Sequence, residues 1–102
     1  MVRYERFCVY EVKNPDDKKR FAVIVSPEEI HDYQDTVLIA PLVLGQSDFP
    51  FRVPIVFKNK EGEVAADKIQ PILKEDLLKK VGLLPAPLTE QLAEVLMEMV
   101  MI

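Results

Sequence analysis

Arg20 is the residue of this sequence best placed to do chemistry. It closes a basic run, Lys18-Lys19-Arg20, and stands directly before an apolar stretch, Phe21 to Val25. A guanidinium fixed at a strand end can pair with a phosphate or stabilise charge developing there. The plainer reading is a solvated charge that marks the start of a strand. Asp67 lies between Ala65-Ala66 and Ile69, so it is expected half-buried and ion-paired, with Arg52 or Arg20 as partner. His31, the only histidine, sits near an acidic turn and reads as a solvated surface residue. A serine–histidine–acid triad would need it beside Ser26 or Ser47, and the spacing does not argue for that. Cys8, the only cysteine, lies in an apolar run and reads as a small buried hydrophobe rather than a nucleophile. One histidine and one cysteine leave no spacing for a metal site. No glycine-rich phosphate loop occurs, and no cofactor is expected.

A second kind of chemistry, partner binding, is suggested by the last stretch, Leu88 to Ile102. Thr89 can cap a helix whose apolar positions Leu92, Val95, Leu96 and Met99 recur at helical spacing. Ala93, Met97, Val100, Met101 and Ile102 are apolar as well. So wide an apolar arc implies burial against the protein's own sheet and again against a second copy or a partner. Met99, Val100, Met101 and Ile102 are the expected partner-binding end. Glu90, Glu94 and Glu98 form an acidic stripe that suits a basic partner surface, or simply faces water.

The bulk properties narrow the classes. At 102 residues the chain is expected to be one domain, 1–102. A formal net charge of -4 argues against a protein whose affinity rests mainly on phosphate neutralisation. A single cysteine rules out a disulfide framework and points to a reducing, cytoplasmic setting. No apolar run nears the roughly 20 residues needed to span a membrane. The N-terminal sequence lacks the pattern of a signal peptide, so no membrane association is expected.

These residues must be positioned by a run of strands. Phe7 to Val12 and Phe21 to Val25 are rich in branched and aromatic residues and read as strands. The turn Asn14-Pro15-Asp16-Asp17 separates them. Ser26-Pro27-Glu28-Glu29 reads as the start of a helix of a turn or two, capped by the serine. Thr36 to Leu44 is the expected central strand, with a bulge or strand end near Pro41. Phe51 to Phe57 alternates cleanly, Asn59 to Gly62 reads as a hairpin turn, and the return strand runs from Glu63 to Ile72. Lys74 to Lys80 is expected to form a short helix ended by Gly82. The expected class is α+β: a small, strongly twisted antiparallel sheet or partly closed barrel with a C-terminal helix packed on it.

The segment RFAVIVSPEEIHDYQDTVLIAPLV, Arg20 to Val43, resembles the core of the CcdB/MazF (PemK-like) superfamily of toxins from type II toxin–antitoxin systems. It has a basic turn, an apolar strand ending in serine, a short variable loop and a strand ending in Ala-Pro-Leu. Phe51 to Ile55, Asp67-Lys68-Ile69 and Lys74 to Leu83 match later parts of the pattern. The resemblance implies an SH3-like barrel, a homodimer and a cognate antitoxin. Ile39, Pro41, Leu96 and Val100 are the expected dimer contacts.

Two activities occur on this scaffold. MazF-like members are metal-independent ribonucleases, and Arg20 fits their arginine. However, Phe21 stands where proline is usual, the loop Asn14 to Lys19 lacks the glycine and glutamate, and Val43 stands where threonine is often found. CcdB-like members bind DNA gyrase through the extreme C-terminus. The start RFCVYEV, the short first loop, the length and the terminal Ile102 resemble that branch. The sequence therefore leads to the expectation of a gyrase-binding toxin rather than an enzyme. The alternative is a ribonuclease cleaving single-stranded RNA, with Arg20 catalytic. A third possibility is a non-toxic member that only dimerises and binds antitoxin.

Overall fold

The computed structural model describes residues 4–16, 18–47 and 49–101. Its strands are β1 (Cys8–Val12), β2 (Arg20–Ile24), β3 (Thr36–Leu44), β4 (Arg52–Phe57), β5 (Lys60–Ala65), β6 (Gln70–Leu73) and β7 (Leu77–Leu83). Two helices complete the chain, α1 (Glu28–His31) and α2 (Ala86–Met101). The strands form one antiparallel sheet in the order β4-β5-β3-β2-β1-β7, with β6 also paired to β3. The expected α+β class is therefore correct. The sheet is open, however, with β4 and β7 as its end strands.

Strand β3 organises the molecule. Its first half pairs with β6, from Thr36↔Leu73 to Ile39↔Gln70. Its middle pairs with β2, ending at Ala22↔Pro41, and its last residues pair with β5, beginning at Leu42↔Val64. Between β5 and β6 the chain makes a 3-10 turn, Ala66–Lys68, which takes up the residues that have no counterpart on β3. Pro41 is the expected irregularity. Lacking an N–H, it falls where β3 leaves β2 and joins β5.

Two apolar clusters follow from alternation along the strands. One gathers Val9, Val23, Ala40, Val53, Ile55 and Val64 beneath α2, with Leu92 fully buried at its centre. Leu88, Val95, Leu96 and Met99 pack around it, as the helical spacing implies. The other joins Cys8, Tyr10, Ala22, Ile24, Val37 and Ile39 on the opposite face. Burial pushes the Cys8 thiol above its usual pKa.

Three local expectations need correcting. Lys74 to Lys80 is not a helix: a single 3-10 turn, Lys74–Asp76, leads into β7, which pairs with β1 from Val12↔Leu77 to Cys8↔Leu83. The β4–β5 hairpin turns earlier than expected. Phe57 pairs with Lys60, so the loop is only Lys58-Asn59, both left-handed at φ 51 and 64, the geometry of a type I′ turn. Gly62 is instead a strand residue, and a Cβ there would lie 2.6 Å from the Val43 carbonyl oxygen. Finally, α2 begins at Ala86, not after Thr89. The Pro85 carbonyl accepts from the Leu88 and Thr89 N–H groups, and Pro87 is tolerated in the first turn because its missing N–H would have no helical acceptor.

Candidate functional site

The crossing of β3 from β2 to β5 opens a groove of about 710 Å³. Leu42, Val43 and Leu44 of β3 lie between its two walls. One wall is the end of the β1–β2 loop and the start of β2, Lys18 to Phe21. The other is the β4–β5 hairpin, with Phe57, Lys58, Lys60, Glu61 and Gly62. Lys18, Lys19, Arg20, Lys58 and Lys60 give the lining five cations against one carboxylate, Glu61. That concentration of positive charge sits on a chain whose net charge is -4.

Arg20 projects at the rim. Its Nη2 donates to Asp16 Oδ2 at 3.1 Å, and its side chain remains 58% exposed. Asp16 also accepts from the Lys18 backbone N–H at 3.1 Å. That bond, then the Arg20 guanidinium, holds the Asp16 carboxyl below the usual carboxylate range. Across the groove Phe21 and Phe57 meet with ring centroids 5.0 Å apart and planes at 56°. Lys58 Nζ lies 4.8 Å from the Phe21 centroid and 5.8 Å from that of Phe57. Cations that can meet phosphates and aromatic faces that can meet bases are the two components of a single-strand nucleic-acid site.

A second charged cluster lies on β4 and β5. Arg52 binds Asp67 with both arms of its guanidinium, Nε at 2.6 Å and Nη2 at 3.2 Å. Arg52 Nη1 also reaches Glu63 Oε1 at 3.4 Å. Glu63, only 2% exposed, accepts from the Ser47 N–H at 3.1 Å and the Ser47 hydroxyl at 3.0 Å. The Arg52 guanidinium stacks 5.0 Å from the Phe49 ring. The Ser47 backbone N–H is the main cause holding Glu63 below the carboxylate range, and the Arg52 hydrogen bond is the main cause for Asp67. This network ties the β3–β4 loop to the sheet. Asp67 is half-buried and paired as expected, and its partner is Arg52.

His31 is not solvated. It is buried, and Ser26 Oγ lies 2.7 Å from its Nε2. Its Nδ1 donates to the Tyr4 carbonyl at 2.6 Å. The Ser26 hydroxyl also accepts from the Leu38 N–H at 3.1 Å. A serine and a histidine do meet, but the third partner is a backbone carbonyl rather than an acid. The trio joins the β2–α1 corner to β3, away from the groove lining. Ser26 is occupied here, and the cap of α1 is Pro27 instead. Among the described residues no group of His, Cys, Asp or Glu could hold a metal ion.

The C-terminal expectation divides. Met99 packs against the core, Val100 is 81% exposed, and Ile102 and the Met101 side chain lie outside the described residues. Of the expected dimer contacts, Ile39 is buried in its own protomer, Pro41 and Leu96 are half-buried, and Val100 is exposed. Lys58, Lys60 and Phe57 escape a reading of the sequence alone. The available signal is an aromatic residue directly before a doubly basic hairpin tip, Phe57-Lys58-Asn59-Lys60.

The fold is that of small toxins of known structure. The Mycobacterium tuberculosis toxin MazF-mt6 superposes with a TM-score of 0.77 at 24% identity, covering 89% of this chain and 93% of its own. An endoribonuclease from a Mycobacterial species, solved with its cognate antitoxin, gives 0.82 at 19% identity, covering 95% and 94%. MazF of a MazE–MazF complex from Deinococcus radiodurans gives 0.82 at 14% identity over the full length of both chains. No curated protein matches the chain. The profile of the PemK-like, MazF-like toxin of type II toxin–antitoxin system matches residues 6–100. The chain belongs to that family.

Membership in that branch overturns the expectation of a CcdB-like gyrase binder. The match is to PemK and MazF, and the similar structures are MazF toxins and endoribonucleases. The physical reason lies in α2. Of the residues assigned to the partner-binding end, Met99 is instead spent inside the protomer, where it packs against the core around Leu92. Among the described residues no helix is long and apolar enough to cross a membrane.

Proposed function

We propose that this chain is a cytoplasmic endoribonuclease toxin that cuts single-stranded RNA in the groove between β2 and the β4–β5 hairpin. The observation that carries the reading is the five-cation lining on a net acidic protein. A charge distribution that opposes the overall balance is a local feature that concentrates polyanion where it is needed. In such a reaction the ribose 2′-hydroxyl gives its proton to water and attacks the adjacent phosphorus, the 2′-oxygen–phosphorus bond forms, and the bond to the 5′-oxygen breaks as that oxygen takes up a proton from water. Arg20, held at the rim by Asp16 yet exposed, stabilises the extra negative charge on the phosphorane oxygens. A cognate antitoxin and a second copy of the chain complete the proposal. Pro41, Leu96 and Val100 are the contacts retained for the dimer.

The test is incubation of the purified chain with long mixed-sequence RNA in EDTA. Discrete cuts are expected. Arg20→Ala should slow cutting by about a hundredfold or more, with an unchanged melting temperature because the side chain is exposed. Intact RNA after incubation with the unaltered chain overturns the reading.

A further inference from the structure

We infer that Phe21, Phe57 and Lys58 form a base-binding subsite in which a nucleobase of the RNA takes the place of the Lys58 ammonium on the Phe21 ring. The inference rests on the reading of the groove as an RNA site and names residues within it. Lys58 sits in the left-handed region at φ 51, where a side chain is disfavoured, and Asn59 follows at φ 64. The pairing Phe57↔Lys60 enforces that tight turn. The Lys58 side chain, though exposed, lies over the rings with its ammonium 4.8 Å from the Phe21 centroid.

A cation on a ring face at an exposed site is a weak and exchangeable contact, and a stacked base is the stronger occupant of the same face. Among the described residues no carboxylate pairs with the Lys58 ammonium, so leaving the ring breaks no ion pair among them. The phosphate adjoining the stacked base is the anion that the displaced ammonium meets, in a lining where five cations face one carboxylate. Arg20 and Phe21 both line the groove, so one single strand lying along it can set a base on Phe21 and a phosphate at Arg20. Lys58 is a binding residue here: it fills the stacking face when the groove is empty and neutralises a phosphate when it is full.

The experiment measures binding of a short single-stranded RNA made uncleavable by 2′-O-methylation, across a series of salt concentrations in EDTA. Lys58→Gln keeps the backbone requirement of the turn and should lower the slope of log affinity against log salt by about 0.7, the value for one phosphate of a single strand. Lys58→Arg should restore it. Phe21→Leu keeps apolar bulk and should weaken binding by about tenfold. Abasic substitutions placed along the oligonucleotide should find one position that weakens the unaltered chain but not Phe21→Leu, the pattern of two groups that touch.

An unchanged salt slope in Lys58→Gln overturns the inference. So does an abasic effect of equal size in Phe21→Leu, or failure of the unaltered chain to bind the oligonucleotide. Binding with these patterns but without cleavage of ordinary RNA would sustain the subsite and overturn the ribonuclease reading instead.

Discussion

The two arginines of the sheet face opposite situations. Arg52 is enclosed: both arms of its guanidinium are bound, two carboxylates share its charge, and a phenylalanine covers it. Among the described residues Arg20 is held by a single exposed carboxylate, within a lining rich in other cations. The residue type is the same, but the number of fixed anions within reach differs. Where acceptors match donors, the arginine fastens one part of the fold to another. Where cations exceed anions, the missing counter-charge must come from outside, and the site is ready for an anionic ligand.

Arg52→Ala breaks the enclosed side and is expected to cost more stability than a substitution at any of the five cations that line the groove. It leaves the nearly buried Glu63 without its cation and Asp67 without either of its strong bonds. Urea unfolding measures the loss, and a midpoint equal to that of the unaltered chain would deny the network any structural role.

The same network should make the fold acid-sensitive. Glu63 and Asp67 are held below their ordinary values when folded. Their contribution is therefore complete above the ordinary carboxylate range, and is lost as pH falls through it towards the folded values. The urea midpoint should be flat in pH near neutrality and drop below about pH 4. Combining Glu63→Gln with Asp67→Asn should flatten that drop, and an equally steep drop in the double variant would place the sensitivity elsewhere.

The smallest effect belongs to the open side. Asp16→Asn removes an exposed ion pair, so no measurable change in melting temperature is expected. Affinity for single-stranded RNA should rise slightly, because a phosphate no longer competes with Asp16 for Arg20. Weaker binding would mean that Asp16 orients Arg20 more than it occupies it.

What can be read from the sequence tracks the range of the interactions. Strands β2, β3 and β4 and the buried face of α2 are legible because alternation or helical spacing marks them locally. Lys74 to Lys80 is not: its apolar and charged residues suit a helix, but its partner β1 lies at the other end of the chain. That pairing supplies bonds to a long-range neighbour, and they override local preference. The hairpin turn is misplaced by the sequence because Gly62 draws it towards itself. The structure uses Lys58 and Asn59 for the turn and spends Gly62 on close approach to Val43.

The site shows the same division. Arg20 is legible from its place between a basic turn and an apolar strand, and Asp67 from its apolar flanks. The union of Lys18-Lys19-Arg20 with Phe57, Lys58 and Lys60 is not, because it exists only where β3 passes from one neighbour to the other. The burial of His31 is hidden for a related reason, since Tyr4, which binds its ring, and Leu38, which shares Ser26 with it, come from two other segments.

The sealed position of Cys8 has a practical side. It is the only thiol of the chain, it is fully covered by its neighbours, and burial disfavours the thiolate through which cysteines react. A cysteine placed at an exposed position such as Lys19 would then be the one site open to a maleimide dye or spin label. Probes could be attached beside the groove singly, without first removing a native cysteine from the core.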